Sequence, residues 1–198
     1  MEFWFKIAFA VLFAGVIGAA VQAAGALRRR PEAKIDQTEH ELPVLKLLRP
    51  ALGLVFYGSI GDWLLPGTRM AWARLALPVE ARWAGAGIAA LAVAVLWWSF
   101  RTLGSNYRGG VGLWDDHELV AHGPYRYVQH PIYGAFVLAM VGTALLSASW
   151  LAAASGIALT VSIPLLRLPV EEPELAARFG DRYARYREAT ARFLPWLY

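Results

Sequence analysis

The sequence contains no cysteine. This absence excludes disulfide bonds, catalysis by a thiol and metal sites built from thiolates. Histidine is also scarce: the chain has four, and no two of them stand four residues apart, the spacing that would place both on one face of a helix. We therefore expect no metal site in this protein.

Charged residues are few as well, at 17% of the chain, whereas 58% of the residues are hydrophobic. This balance predicts an integral membrane protein. The sequence shows no internal repeat, no low-complexity tract and no linker long enough to divide it, so we expect residues 1–198 to form a single domain. The net charge of +4 comes from arginines that flank the hydrophobic segments, and it does not call for a nucleic-acid partner.

A stretch of 35 residues, from Ile132 to Leu166, contains no charged residue and no histidine. A single helix of that length would extend about 52 Å, against a hydrocarbon core of about 30 Å. Two crossings fit better, and the small polar residues beside a tryptophan at positions 147–150 suit the turn between them. Such a hairpin returns the chain to the side of the membrane from which it came.

Three further segments are apolar enough to cross the membrane, which brings the predicted total to about five transmembrane helices. Residues 7–27 and 83–100 carry no charge, and residues 51–66 carry only Asp62, near the outer end of that segment. The first segment is too long for a cleaved signal peptide, and an arginine cluster follows it rather than precedes it, so we expect it to be retained. The predicted fold class is an all-α polytopic membrane protein.

The distribution of basic residues predicts the orientation of these helices. Of the 19 lysine and arginine residues, 15 lie within residues 28–49, 101–130 and 167–198. Cytoplasmic segments carry the excess of basic residues, so we expect these three inside, the amino terminus outside and the carboxy terminus in the cytosol. His130 and Glu171, at the two ends of the hairpin, then lie on the same cytosolic side.

Four motifs follow one another in the second half of the chain. They are LGSNY from Leu103, HELV from His117, GPYRYVQHPIY from Gly123 and EEPELAARFGDRYARYREATARFLP from Glu171. In this order they resemble the isoprenylcysteine carboxyl methyltransferase family of membrane methyltransferases, which is related to the phospholipid methyltransferases. The motifs cover residues 100–195, and the similarity in size and in number of hydrophobic segments extends to the whole chain.

The resemblance implies an all-helical membrane enzyme that binds S-adenosylmethionine in a cytosolic pocket formed by residues 101–133 and the carboxy-terminal helix. The methyl acceptor would be a lipophilic small molecule, a lipid or an isoprenyl-type group that enters from the bilayer. The expected location is a prokaryotic inner membrane. One position departs from the family, because Gln129 stands where a basic residue usually precedes the His-Pro pair. Either a cationic contact is missing there or Arg126 supplies it.

Methyl transfer from a sulfonium needs groups that bind and orient two reactants rather than a strong nucleophile. Pro131 favours the first turn of a helix, so His130 stands beside free backbone N–H groups, where we expect the carboxylate of the cofactor. The alternative is that His130 only caps this helix. The candidate cofactor contacts nearby are Gly123, Pro124, Tyr125, Arg126, Tyr127 and Tyr133.

These neighbours have alternative roles. The three tyrosine rings could pack on adenine or face the sulfonium, or they could form an aromatic belt at the membrane interface. Gly123 and Pro124 are typical of a turn that lets the backbone approach a ligand. Arg126 could instead contact phospholipid or pair with Glu171.

Glu171 and Glu172 are candidate contacts to the ribose hydroxyls or the amino group of the cofactor, or they are solvated charges at the end of a span. Neighbouring helix positions point about 100° apart, so only one of the two can face a pocket, and we prefer Glu172 slightly. The candidate catalytic residues are Arg192 and Asn106.

The last motif predicts an amphipathic helix on the inner leaflet, with arginines that suit anionic membrane lipids. Its apolar stripe has helical spacing and serves mainly for packing. The stripe consists of Leu175, Phe179, Tyr183 and Tyr186.

Two other functions stay open at this point. Sterol-reductase-like membrane oxidoreductases that use NADPH have a similar Arg-His-Pro-Asn-Tyr stretch, although Ile132 stands here in place of the asparagine. A non-enzymatic membrane scaffold is the second alternative. Oxygen, nitrogen and sulfur acceptors are all compatible with the residues of the motifs.

Overall fold

A computed structural model of the chain describes residues 1–28, 43–67, 69–108 and 116–193. Within these ranges the protein is all-helical, as predicted, and no β-strand forms. The α-helices are α1 (Glu2–Arg28), α2 (Pro43–Leu64), α3 (Val79–Leu103), α4 (Pro131–Ser147), α5 (Trp150–Phe179) and α6 (Asp181–Ala189). Short 3-10 turns span Ala71–Ala73, Gly104–Asn106 and Gly123–Arg126. Most of the predicted cytoplasmic segment 28–49, and Pro195 at the end of the last motif, lie outside the described residues.

Helices α1 to α5 coincide with the five predicted membrane segments. Three stretches are both long and apolar enough to cross a membrane, namely Glu2–Ala26, Val79–Asn106 and Trp150–Phe179. The α4 helix is apolar but has only 17 residues, and α2 has 22 residues with Pro50 inside it. The described part of the chain therefore holds three candidate spans, and the total of five crossings stays a prediction.

The turn of the long hairpin lies where the length of the apolar run predicts it. Ala148 adopts a left-handed conformation with φ of 52° and ends α4. Ser149 then begins α5 as its N-cap, because its Oγ atom accepts a hydrogen bond of 3.2 Å from the backbone N–H of Ala152. The same oxygen lies 2.9 Å from Oγ of Ser59 on α2. The turn at residues 147–150 is confirmed, and it is also tied to a neighbouring helix.

Helices α3 and α4 approach each other more closely than side chains normally allow. A Cβ atom on Gly142 would lie 2.6 Å from the backbone nitrogen of Ala89 and 2.7 Å from the carbonyl oxygen of Gly85. A Cβ atom on Gly85 would lie 2.8 Å from the carbonyl oxygen of Gly142. Small residues permit such approaches between membrane helices, where packing rather than hydrophobic burial holds helices together. This contact fixes the position of α4 and therefore of the site at its first turn.

An ion pair lies at the opposite end of the bundle from that first turn. Arg82 is 8% exposed, and its guanidinium pairs with the carboxylate of Glu2 on α1. Its Nε atom donates a hydrogen bond of 3.0 Å to the carbonyl oxygen of Leu146, and its guanidinium carbon lies 4.0 Å from the centre of the Phe5 ring. One side chain thus joins α1, α3 and the end of α4.

Replacing Arg82 by alanine should lower the stability of the folded protein by about 2 kcal/mol, because it leaves the Leu146 carbonyl and the Glu2 carboxylate without this donor. The measurement is the midpoint of thermal unfolding in detergent. Arg69→Ala is the control, since Arg69 is exposed and only its backbone N–H bonds to Asp62. Equal midpoints for the two variants would show that Arg82 does not hold these helices together.

The carboxy-terminal amphipathic helix differs from the prediction. The α5 helix continues through Glu171 and Glu172 to Phe179. It ends at Gly180, whose φ is 50°. Glycine adopts this conformation without the steric cost that other residues incur, and its N–H bonds back to the Ala176 carbonyl. The predicted stripe is therefore split between two helices, and the prediction of one helix over these positions is wrong.

Candidate active site

A cavity of about 430 Å³ lies where α3 ends, α4 begins and the second half of α5 meets α6. Its wall combines charged and hydrogen-bonding side chains with apolar ones. The polar side chains include Asn106, Gln129, His130, Tyr133, Arg167 and Glu171. The apolar side chains include Leu103, Ile132, Phe136, Leu159, Ile163 and Leu175. The cavity can therefore receive a ligand that is partly charged and partly apolar.

The polar wall is organised around the first turn of α4. Pro131 occupies a first-turn position and His130 the N-cap position, as the sequence predicts. Within the described residues the His130 side chain makes no capping hydrogen bond, so the purely capping role is wrong. Its Nε2 atom instead lies 3.4 Å from Oε1 of Glu172. The ring also contacts the rings of Tyr133 and Phe193, with centroids 5.8 and 6.0 Å away.

The two adjacent glutamates of α5 have different surroundings. Glu171 lines the cavity, and its Oε2 atom accepts a hydrogen bond of 3.2 Å from the Tyr133 hydroxyl. Glu172 lies beside the cavity, with its Oε1 atom 2.9 and 3.0 Å from two guanidinium nitrogens of Arg192. One glutamate faces the cavity, as the helix geometry requires, but it is Glu171 rather than the preferred Glu172.

Residues 190–193 lie against the loop that precedes α4. Three backbone hydrogen bonds join the two segments, from Gln129 N–H to Ala191 O at 2.8 Å, from His130 N–H to Arg192 O at 3.1 Å and from Ala191 N–H to Tyr127 O at 3.2 Å. The Gln129 side chain donates a further bond of 2.9 Å to the carbonyl oxygen of Thr190. Gln129, which departs from the family pattern, therefore ties the end of α6 to the site.

Besides Glu172, four of the predicted cofactor contacts lie away from the cavity wall, namely Gly123, Pro124, Arg126 and Tyr127. The turn Gly123–Arg126 packs on α3, and a Cβ atom on Gly123 would lie 2.6 Å from Oγ1 of Thr102. Gly123 thus meets another helix, and neither Gly123 nor Pro124 lines the cavity. Arg126 is exposed and its guanidinium lies 4.9 Å from the centre of the Tyr127 ring, so it does not pair with Glu171. Of this turn, only Tyr125 lines the cavity.

The two candidate catalytic residues also differ in position. Asn106 lines the cavity, and its Oδ1 atom accepts a hydrogen bond of 3.0 Å from the backbone N–H of Glu118. Arg192 lies outside the wall, with 52% of its side chain exposed, and is held by Glu172. Arg192 therefore positions Glu172 and, through it, His130. No group of three His, Asp or Glu side chains in the described ranges could hold a metal ion.

Sequence reasoning missed three arginines that line the cavity: Arg49, Arg108 and Arg167. Arg167 directly follows the charge-free run that ends at Leu166. Its spacing of four residues from Glu171 places both on one helix face, and this signal was available in the sequence. Arg49 reaches the cavity from α2, where its Nε atom lies 3.4 Å from Oγ of Ser162. Nothing in the local sequence indicates that contact.

Three tyrosines of the wall are neutral phenols. Burial raises the pKa of Tyr125 well above its ordinary value and raises the pKa of Tyr183 to about 12. Burial likewise raises the pKa of Tyr186, whose hydroxyl donates a bond of 2.8 Å to the carbonyl oxygen of Tyr125. A raised pKa favours the protonated form, so these hydroxyls remain hydrogen-bond donors throughout the neutral range.

Comparison with known proteins agrees with the arrangement of these motifs. The sequence profile of the isoprenylcysteine carboxyl methyltransferase (ICMT) family matches residues 85–177, which include the start of α4 and both glutamates of α5. Over these residues the chain is similar to this family, as its motifs predict. The methanethiol S-methyltransferase of Mycobacterium tuberculosis is 40% identical over 76 residues, and the protein-S-isoprenylcysteine O-methyltransferase A of Arabidopsis thaliana is 32% identical over 83 residues.

These matches cover only part of each protein. The first comprises 38% of this chain and 30% of the relative, and the second comprises 42% of each. A solved structure, that of the eukaryotic intramembrane Ras methyltransferase ICMT, is similar over 98% of this chain and 68% of the solved chain. The TM-score is 0.63 and the sequence identity 19%, so this likeness establishes an ICMT-like fold.

Proposed function

We propose that this protein transfers a methyl group from S-adenosylmethionine, at the cytosolic face of the membrane, to a lipophilic acceptor of isoprenyl type. The main support for the proposal is that residues matched by the family profile line one cavity. Both the start of α4 and the Glu171 turn of α5 lie inside the matched residues, and both contribute polar side chains to the same 430 Å³ space.

The residues present fit this cofactor. The cavity volume falls within the range of about 300–1,000 Å³ found for small-molecule sites. The His130 side chain lines the cavity and is 10% exposed, and its contact with Glu172, 3.4 Å from Nε2 to Oε1, is long for a hydrogen bond. Tyr125 and Tyr133 offer aromatic surface, and Glu171 offers a carboxylate. S-adenosylmethionine supplies, when bound, a methyl group that is already activated on a sulfonium.

The roles of the chain are to bind, to orient and to exclude water. The first turn of α4 offers backbone N–H groups and the positive end of a helix dipole, where we propose the cofactor carboxylate is held beside His130. Glu171 contributes a negative charge for the cationic part of the cofactor, and Tyr133 holds that carboxylate in place. Glu172 and Arg192 position His130 from outside the cavity. Asn106 is proposed to contact the reactants at the α3 end.

The acceptor is proposed to lie against the apolar part of the wall. Phe136 projects from the second turn of α4, and Leu159 and Ile163 project from α5, on the hairpin side of Arg167. These side chains suit a hydrocarbon chain that enters from the bilayer. The relatives include enzymes named for isoprenylcysteine and for methanethiol, and the apolar wall favours the larger, lipophilic acceptor.

We further propose that residues 1–198 form one integral membrane domain with the amino terminus outside and the carboxy terminus in the cytosol of a prokaryotic inner membrane. The concentration of basic residues in three of the connecting segments supports this orientation. The exposed arginines of α6 face the same side, where they suit anionic lipid headgroups.

The proposal is tested by calorimetric titration of the purified protein in detergent with S-adenosylhomocysteine and, separately, with NADPH. We expect micromolar binding of S-adenosylhomocysteine alone. His130→Ala should weaken that binding at least tenfold, because it removes the buried ring beside the first turn of α4. His122→Ala is the matched control, since His122 is exposed and lies outside the cavity wall.

Three other results of these titrations would contradict the proposal or a part of it. Binding of NADPH alone would assign the site to a reductase, and binding of neither ligand would favour a membrane scaffold. Unchanged affinity in His130→Ala, with normal binding by the wild type, would remove only the assignment of the carboxylate to the start of α4.

A further inference from the structure

Tyr183 of α6 has a hydroxyl group that bonds to no other residue in the described part of the chain. Its side chain is 2% exposed and lines the cavity, and its oxygen has no hydrogen-bond partner among the described residues. A buried polar group without a partner costs about 1–3 kcal/mol, and such groups are rare in native proteins. A hydroxyl held at the wall of a cavity recovers that cost when a ligand fills the space.

The neighbouring tyrosine of α6, Tyr186, has a structural role. Tyr186 stands one turn further along α6, and its hydroxyl donates a bond of 2.8 Å to the carbonyl oxygen of Tyr125. That bond ties α6 to the turn that precedes α4. Tyr183 is packed against Tyr186, with ring centroids 6.3 Å apart, and the Arg187 guanidinium lies 5.9 Å from the centre of its ring. The ring of Tyr183 is thus fixed by packing, while its hydroxyl bonds to no other described residue.

The surroundings of Tyr183 indicate which part of a ligand it would meet. Glu172, Arg187, Arg192 and Glu171 are close enough for their charges to act on its phenol, in addition to the effect of burial. A charged and hydrogen-bonding environment suits the zwitterionic end of an amino acid, whereas an adenine ring prefers apolar and aromatic surface. A protonated phenol can donate to a carboxylate and accept from an ammonium group.

We propose that the Tyr183 hydroxyl binds the amino-acid end of the nucleoside cofactor in this cavity. This inference rests on the proposed function and adds a binding residue that the sequence pattern assigned to packing. Tyr183 lies on α6, beyond the residues matched by the family profile.

The test compares two ligands by calorimetric titration of the full-length protein in detergent. S-adenosylhomocysteine carries the amino-acid end, and 5′-methylthioadenosine has the nucleoside and the thioether but lacks that end. Tyr183→Phe should weaken binding of S-adenosylhomocysteine about tenfold and leave binding of 5′-methylthioadenosine unchanged. Tyr57→Phe is the matched control, because Tyr57 is 59% exposed on α2 and lies outside the cavity wall; both affinities should stay as in the wild type.

Thermal unfolding without ligand separates binding from structure. Removing an unpartnered hydroxyl should leave the unfolding midpoint of Tyr183→Phe unchanged or raise it, whereas a structural bond would lower it. Unchanged affinity for S-adenosylhomocysteine, or equal weakening of both ligands, would overturn the inference while the proposed function stands. A wild-type protein that binds neither ligand would remove the proposed function and this inference with it.

Discussion

Gly142→Leu should leave no folded protein, because it places a large side chain where two helix backbones touch. A Cβ atom alone would lie 2.6 Å from the backbone nitrogen of Ala89 and 2.7 Å from the carbonyl oxygen of Gly85. Backbone atoms in the middle of helices cannot move aside as the end of a flexible side chain can. Overpacking costs typically 1–3 kcal/mol where side chains can adjust, and this contact offers no such adjustment. The loss should approach the whole stability of a domain of this size, about 5–15 kcal/mol.

The measurement is size-exclusion chromatography of the detergent extract, with the monodisperse fraction as the readout. Gly87→Leu is the matched control, since Gly87 lies on the same helix as Gly85 and a Cβ atom there would meet nothing within 4 Å. Leucine also forms helices better than glycine, so the control should fold at least as well as the wild type. If Gly142→Leu gave the same monodisperse yield as Gly87→Leu, the close approach of α3 and α4 would be wrong.

The architecture that depends on this contact was largely predictable from the sequence. The length of the charge-free run required a hairpin, and the structure forms its turn at the predicted positions 147–150. Proline at the first turn of α4 likewise fixed where that helix begins. These are local properties of composition and chain geometry, so they can be read without knowing which helices pack together.

Which residues line the cavity was less predictable, because this depends on contacts between distant parts of the chain. Arg49 reaches the cavity from α2, more than 100 residues before Ser162, which it contacts. Gly123 satisfies the pattern of a ligand-binding turn but packs against Thr102. Which of two adjacent glutamates faces the cavity depends on the rotation of α5 about its axis, and that rotation is set by packing against both α2 and α4. The sequence predicts that one of the two glutamates faces the cavity, but it does not indicate which one.

Replacing that cavity glutamate, Glu171→Gln, should weaken binding of the proposed cofactor and lower the rate of methyl transfer while the protein remains folded. Glutamine keeps the size of the side chain and an oxygen that can accept the hydrogen bond from Tyr133, so the geometry is retained and only the negative charge is lost. Bonds that involve a charged group contribute about 1.5–3 kcal/mol, which corresponds to a roughly tenfold to hundredfold loss of cofactor affinity. Calorimetry with S-adenosylhomocysteine and with S-adenosylmethionine measures this loss, and a methylation assay measures its effect on turnover.

The comparison of the two ligands determines what the carboxylate does. S-adenosylhomocysteine and S-adenosylmethionine share the ammonium group, but only the second carries a positive sulfur. An equal loss for both ligands would therefore assign Glu171 to the ammonium group, and a larger loss for S-adenosylmethionine would assign it to the sulfonium as well. Glu188→Gln provides the control, because Glu188 is exposed on α6 and undergoes the same chemical change outside the cavity. If Glu171→Gln bound both ligands as tightly as Glu188→Gln, the negative charge of Glu171 would have no part in holding the cofactor, and the cavity would need another group to offset the charge of the sulfonium.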